Sequence, residues 1–393
     1  MRDTTNILEP STLAEAAALM HEHASAGTRL AFVGGGTHMI GEPESGDTLL
    51  STRRLSRIVE YAPEDQTVTV EAGVTVAKLA DVLATRGQRL VLDVADPQRS
   101  TIGGAIASNA YGPRRLRFGS LKDLILGVSL VRADGVAARA GGKVVKNVAG
   151  FDLSKFVVGS HGTLALITSA TLRVHPLPQV SQAIRVAQLS AELVWELILA
   201  MREQQLEPTA IIAVRRMNGL ACYDVDIVFE GVRSGVDAQV GCVHALADIR
   251  RLSIAELASE RAFAADAEIR SAGPLRVRCT ISPSGFAASE EHLIEPLART
   301  LTSPGVNAYP AFGIFTVAGT PTPGTAAVLA TCRERIERRG GSLIVEVQPP
   351  ATGGIPVIEP WGTPPPSFGL MQQLKSRFDP NRRLAPGHFV GGL

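Results

Sequence analysis

Residues 96–121 read DPQRSTIGGAIASNAYGPRRLRFGSL. Gly103, Gly104 and Gly112 have no β-carbon to hold another group away, and Ser100, Thr101, Ser108 and Asn109 place short polar side chains beside them. Such a run suits a backbone pressed against a large flat ligand. Upstream, RLAFV at 29–33 reads as a strand that runs directly into GGGTH at 34–38. A strand entering a triple glycine exposes successive backbone N–H groups, which suit an anion such as a pyrophosphate or, equally, a plain tight turn.

The neighbouring segments read as alternating helices and strands. Residues 11–26 carry helical apolar spacing at Leu13, Ala16, Ala17 and Met20, with Ser11 as the expected N-cap. TVTVEAG at 67–73 alternates as a half-buried strand, and 75–86 follows as a helix with Val76, Leu79 and Leu83 on one face. LILGVSLVR at 124–132 is a strand closed by the turn Ala133-Asp134-Gly135. Asp152 is placed to cap a short helix through Val158, Gly159 and Gly162 break it, and 165–174 forms another strand. Residues 1–176 are thus expected to form one α+β domain with glycine-rich turns facing a common cleft.

Two phosphate motifs are excluded by spacing. A dinucleotide fold needs G-x-G-x-x-G, and Met39 stands where the third glycine would be. A P-loop needs Gly-Lys followed by Ser or Thr, whereas Gly142-Lys143 continues with Val144.

The 393 residues exceed one ordinary core. With 45% hydrophobic and 20% charged residues the composition is that of a globular chain, and a net charge of +1 offers no basic excess for nucleic acid. Cys222, Cys242, Cys279 and Cys332 are scattered without zinc or iron–sulfur spacing and are expected as buried free thiols. The opening residues lack the basic end and apolar run of a signal peptide, and no window reaches the roughly 18 apolar residues of a membrane span. A cytoplasmic location is expected, with membrane contact only through partners.

Composition shifts at Pro176-Leu177-Pro178, a linker. Strands are expected at 180–187, 209–217, 222–230, 275–282, 306–318 and 342–348, with helices at 190–205, 234–252, 286–301 and 324–339. The β-α-β-β-α-β order suits a smaller ferredoxin-like domain over 177–348. Residues 349–366 are rich in proline and glycine and read as irregular, leading to a helix at 367–377 in a C-terminal tail, 349–393.

Four segments together carry a resemblance: GGGTH at 34–38, STIGGAIASNAYGPRRLRFGSLKD at 100–123, GGKVVKNVAGFDLSKFVVGSHGTLALIT at 141–168 and FDPNRRLAPGHF at 378–389. The chain resembles the vanillyl-alcohol oxidase/p-cresol methylhydroxylase (PCMH) flavoprotein superfamily, and within it the smaller FAD-binding subunit of glycolate oxidase (glycolate dehydrogenase). The resemblance implies a two-subdomain PCMH-type FAD-binding domain, a cap domain and a tail returning to the FAD domain. It implies that Gly34, Gly35, Gly36, Thr37 and His38 bind the FAD pyrophosphate. Ser100, Thr101, Ile102, Gly103, Gly104, Asn109 and Gly112 would then line the ribityl and ring region, and Gly162, Thr163 and Ile167 the adenine side. Because Thr37 separates His38 from the glycines, FAD is expected to be held without a covalent bond.

The resemblance further implies a complex with a larger flavoprotein subunit and an iron–sulfur subunit that oxidises glycolate, or a similar 2-hydroxy acid, to glyoxylate. The chain lacks the HxGDGNxH-like metal element of catalytic relatives, and His244 and His292 stand alone, so no metal site and no catalytic residue is assigned. His161 and His388 lie in matched segments, the first suited to structural hydrogen bonding and the second to a contact near the ring. Arg114, Arg115 and Arg117 suit a substrate carboxylate, a solvated face or a partner-facing patch. A self-sufficient dehydrogenase of another hydroxy acid, sugar lactone or alditol, and a non-catalytic scaffold, stay open as alternatives.

Overall fold

The computed structural model describes residues 7–40, 46–143, 153–217, 221–350 and 357–393. The chain divides into two compact units, one of residues 1–112, 119–177 and 363–393, the other of residues 113–118 and 178–362.

The described residues of the first unit form two main sheets, beside a two-stranded antiparallel pairing of Gln88–Arg89 with His175–Pro176. The smaller is parallel, in the order Ile7–Leu8, Thr48–Ser51, Leu30–Val33, and packs its apolar side chains Leu30 and Leu50 with Ala16 and Met20 of helix Leu13–Ala26. That helix is capped by Thr12, whose Oγ1 accepts from Glu15 N at 3.1 Å, while Ser11 donates its N–H and hydroxyl to the Glu15 carboxylate, both at 2.8 Å. The expected cap was one residue early: the extended backbone of a cap belongs to Thr12, at φ −138°.

The larger sheet is antiparallel and five-stranded, in the order Ile58–Ala62, Thr67–Glu71, Leu166–Arg173, Ile125–Val131, Ala137–Gly141. Its core gathers Val68, Val70, Val128 and Leu172 with Leu79 and Leu83 of helix Val76–Ala84 and Ile102 and Ile106 of helix Ile102–Ser108. Asp152 and most of the KVVKNVAGFD stretch lie outside the described residues.

The C-terminal tail belongs to this unit. After helix Phe368–Phe378, Arg383 O accepts from Leu30 N at 2.8 Å and Ala385 N donates to Leu30 O at 2.7 Å, so Leu384 lies parallel beside the strand that enters the glycine loop.

The second unit holds an eight-stranded antiparallel sheet, ordered Ser253–Leu257, Val180–Leu189, Cys222–Gly231, Ala210–Arg216, Leu301–Tyr309, Ile314–Pro321, Leu275–Thr280, Ser342–Val347. Each half runs strand, helix, strand, strand, helix, strand in the chain. One ferredoxin-like unit was expected; the structure contains two, joined where the second strand of each half pairs antiparallel, Ala213 opposite Ala308. The stretch read as a single strand at 306–318 is a hairpin turning at Pro310–Phe312, with Gly313 at φ 64°.

Strand alternation sorts the sheet's faces. Tyr223, Val225, Ile227 and Phe229 enter the core, while Asp224, Asp226 and Glu230 take the other face and meet Arg216 (2.9 Å), Arg185 (2.7 Å) and Arg114 (3.2 Å). Strand Ser253–Leu257 and helix Ser259–Ser271 were not expected from the sequence. The helix buries Ser259, Ala262, Asp266 and Arg270, a helical spacing written in small and polar residues that carries no apolar periodicity. Asp266 holds it down by accepting from Tyr309 at 2.6 Å and from Asn307 and Arg270.

Two chain segments fall otherwise than the sequence boundaries suggested. Residues 113–118 lie in the second unit, and so do the residues up to Gly362. The latter are tied to the edge strand by Val345 N to Pro360 O at 2.8 Å, by Gln348 pairing with both backbone groups of Ile358, and by Arg333 to the carbonyl of Glu359 at 2.8 Å. Proline removes donors here but leaves the carbonyls usable.

Candidate cofactor site

A cleft opens in the first unit. One wall is Phe32 to Met39, the second is Thr101, Gly103, Gly104, Ala107 and Ser108 along helix Ile102–Ser108, and the third is His161, Gly162 and Ala165 to Ile167. Ala385 and His388 of the tail complete the lining.

The glycine loop has its carbonyls turned to arginines. Arg53 Nε donates to Gly34 O at 3.0 Å, and Arg53 and Arg99 reach Gly35 O at 3.5 and 3.4 Å. The described residues offer no acceptor to the backbone N–H groups of Gly35, Gly36 and Thr37. A run of unengaged N–H donors at a cleft wall suits an anion.

Below the loop, Thr37 Oγ1 lies 2.9 Å from Ser100 Oγ and 2.8 Å from His38 Nδ1. Thr101 caps the adjoining helix, accepting from Gly104 N at 3.3 Å. These bonds lock the loop to the start of the helix.

The glycines of the two motifs divide into two kinds. A β-carbon on Gly34 would lie 2.1 Å from Thr101 Oγ1, on Gly35 1.7 Å from Arg99 O, on Gly103 2.6 Å from Ala72 Cβ, and on Gly112 2.2 Å from Asp93 Cβ. Those four are glycine because the protein's own chain fills the space. On Gly36, at φ +73°, a β-carbon would meet nothing within 4 Å, and on Gly104 only Thr101 Oγ1 at 3.1 Å. Space at these two positions belongs to the cleft.

Ser100 is fully buried and acts through Thr37. Ile102 is turned into the core, and Gly112 packs on Asp93. Thr163 donates to Ser160 O at 2.7 Å and offers its carbonyl to Lys375, lining a different cavity. Asn109 ends the helix in a left-handed conformation at φ 51°, and its buried Oδ1 has no hydrogen-bond partner among the described residues. Asn109 is not among the residues lining the cleft, so of the predicted ring-side residues Thr101, Gly103 and Gly104 are the ones at its wall. FAD has chemistry that fits the cleft: a pyrophosphate for the N–H row and a flat body for the surface at Gly104.

Sequence reasoning did not foresee the tail's full part. His161 stacks on Phe389, centroids 5.4 Å apart at 26°, which joins the third wall to the tail. Lys375 is buried with a side-chain exposure of 2% and donates at 2.8 Å each to Asp379, to Thr163 O and to Leu384 O. Burial pulls its pKa below the ordinary lysine value, opposed by the hydrogen bond and charge of Asp379. The i,i+4 spacing of Lys375 and Asp379 was the available signal.

Elsewhere, Arg114 and Arg117 are engaged within the second unit, the first by Glu230 and by the ring of Phe263 at 3.6 Å, the second by Glu207 at 2.7 Å. Cys279 and Cys332 are buried, whereas Cys242 is exposed and Cys222 half-buried, so the expectation of buried thiols fails for these two. Burial raises the Cys279 thiol to about 12. Among the described residues, no group of three His, Cys, Asp or Glu side chains is placed to hold a metal ion, and no helix is long and apolar enough to cross a membrane.

Residues 5–141 match the family described as FAD binding domain. Glycolate oxidase subunit GlcD of Bacillus subtilis is 35% identical over 153 residues, 38% of this chain and 33% of that one. Glycolate oxidase subunit GlcE of Escherichia coli is 34% identical over 186 residues, 47% of this chain and 50% of that one. D-lactate dehydrogenase of Archaeoglobus fulgidus is 33% identical over 172 residues, 43% of this chain and 38% of that one. The aligned part thus spans a third to a half of these curated relatives. Among solved structures, an alkyldihydroxyacetonephosphate synthase superposes with a TM-score of 0.71 at 16% identity, covering 97% of this chain and 76% of that one, a likeness of fold.

Proposed function

The chain belongs to the FAD-binding flavoprotein superfamily, and from that premise we propose that it is the FAD-binding subunit of a complex oxidising glycolate or a similar 2-hydroxy acid. FAD is its cofactor. The observation that carries the reading is the unengaged N–H row of Gly35, Gly36 and Thr37, in a chain whose relatives include two named glycolate oxidase subunits.

When bound, FAD supplies an acceptor for the hydride that leaves the carbinol carbon as the hydroxy acid becomes the oxo acid. The chain's residues do the holding. Gly35 to Thr37 bind the pyrophosphate, Thr37 and Ser100 fix the loop, Gly36 and Gly104 leave room, and His388 closes the cleft from the tail. Two electrons and two protons leave the alcohol, and in this proposal the electrons pass to an iron–sulfur partner while a larger flavoprotein subunit shares the substrate chemistry.

The test is to compare the chain alone with the co-expressed products of neighbouring reading frames. Glycolate:dye turnover is expected from the complex and not from the isolated chain; equal turnover from the isolated chain overturns the division of labour. The similarity to a D-lactate dehydrogenase favours one second reading, a self-sufficient dehydrogenase of another 2-hydroxy acid. It predicts that D-lactate or another 2-hydroxy acid bleaches the flavin of the isolated chain.

A further inference from the structure

A pyrophosphate is a dianion, yet the wall that would receive it holds no permanently charged side chain. Among the described residues lining the cleft there is no lysine, arginine, aspartate or glutamate. Its histidines, His38, His161 and His388, belong to the one residue type that ordinarily loses its charge near neutral pH. Backbone N–H groups carry only partial charges, so a dianion drawn out of water against them needs further positive charge close by.

That charge lies behind the loop. Arg53 and Arg99 are not part of the cleft wall, but their guanidiniums donate to Gly34 O at 3.0 Å and to Gly35 O at 3.5 and 3.4 Å. Gly34 O shares its peptide unit with the N–H of Gly35, and Gly35 O shares its unit with the N–H of Gly36. In a planar trans peptide the C=O and N–H bonds point in opposite directions. Each guanidinium therefore holds the negative end of a peptide dipole whose positive end is an unengaged N–H of the row. Among the described residues Arg53 makes no ion pair, and Arg99 has Asp96 at 3.7 Å.

We propose that Arg53 and Arg99 are positioning residues for the flavin's pyrophosphate. They hold the two peptide planes with their N–H groups toward the cleft, and they supply from behind the loop the positive charge that its wall lacks. A neutral donor would set the planes equally well; a guanidinium adds a full charge on the far side of one peptide unit. The inference rests on Gly35 to Thr37 as the pyrophosphate site and does not depend on which acid is oxidised.

The full chain, stripped of flavin, is titrated with FAD by flavin fluorescence, with inorganic pyrophosphate as competitor. Pyrophosphate is expected to compete with FAD for the wild type. Arg53→Gln keeps a donor for Gly34 O but removes the charge, so FAD should bind about fivefold more weakly at low salt, a gap that closes at high salt. Arg53→Lys should stay within about twofold of wild type, because it keeps the charge. Arg99→Gln, on a side chain 63% exposed, should weaken FAD in the same way without moving the melting temperature of the stripped protein, and it carries the test if Arg53→Gln unfolds. Glutamine variants that bind FAD as wild type while pyrophosphate still competes overturn the role of the arginines and leave the loop as the anion site. A loss that salt does not alter and Arg53→Lys does not rescue overturns it as well. If pyrophosphate does not compete at all, the anion site itself falls, and the proposal with it.

Discussion

The ammonium of Lys375 donates to the carbonyl oxygen of Thr163 at 2.8 Å, across 212 residues of sequence. The same nitrogen bonds Asp379 and Leu384 O, so one buried cation ties the tail to the turn that borders the cofactor cleft. Lys375→Met strands the Asp379 carboxylate and two carbonyls, and removing one partner of a buried pair costs roughly 3–5 kcal/mol. Adding Asp379→Asn removes the stranded charge and keeps a carbonyl for Leu384 N, so the double variant should recover part of the loss. Urea unfolding of all three proteins checks this; equal stability of Lys375→Met and wild type would remove the staple from the account.

Gly103 and Gly104 adjoin in sequence and should respond to alanine in different ways. At Gly103 the methyl meets Ala72 at 2.6 Å, so overpacking should destabilise the apoprotein by about 1–3 kcal/mol. At Gly104 the methyl meets only Thr101 Oγ1, at 3.1 Å, which must give by a few tenths of an ångström, so the apoprotein should lose less stability than with Gly103→Ala. The Gly104→Ala methyl instead occupies cleft volume, and flavin content should fall. Melting curves of the stripped proteins and flavin absorbance of the purified ones separate the two effects.

That contrast shows how far the residues could be read in advance. Glycine and strand spacing around 29–38 and 100–112 located the cleft, because both the nest and the close packing demand the same small residues. For the same reason the sequence could not say which glycines serve the ligand: Gly34 and Gly36 look alike until Thr101 is seen beside one and open space beside the other. Helix Ser259–Ser271 was illegible because Asp266 and Arg270, not apolar side chains, anchor it. The doubling of the ferredoxin-like unit followed from strand pairing, which composition does not encode.

His175 predicts a pH dependence. Burial, with Arg173 and Arg89 acting in the same direction, pulls its pKa down from 6.5 to about 4. Between those values the unfolded chain binds a proton that the folded one refuses, so stability rises with pH across the window and is fully regained above about 6.5. Allowing for solvent screening at a half-buried site, the loss on going from pH 7 to 4 should be about 1–2 kcal/mol from this residue. Denaturation midpoints at pH 7, 5.5 and 4 should fall less steeply for His175→Gln; parallel curves would assign the acid sensitivity elsewhere.

Arg114 was a candidate for a substrate carboxylate, but its guanidinium already bonds Glu230 through Nε and Nη2 and covers Phe263 at 3.6 Å. Glu230 is nearly fully buried, with a side-chain exposure of 3%, so its partner matters to the second unit. Lysine keeps the charge but loses the planar face that stacks on the ring and the paired donors, a loss of about 1–3 kcal/mol. Arg114→Lys should therefore lower the stability of the second unit and leave KM for the oxidised acid within about twofold in the assembled complex, since 1.4 kcal/mol of lost substrate binding would show as tenfold. A tenfold rise in KM at unchanged stability would return Arg114 to the substrate.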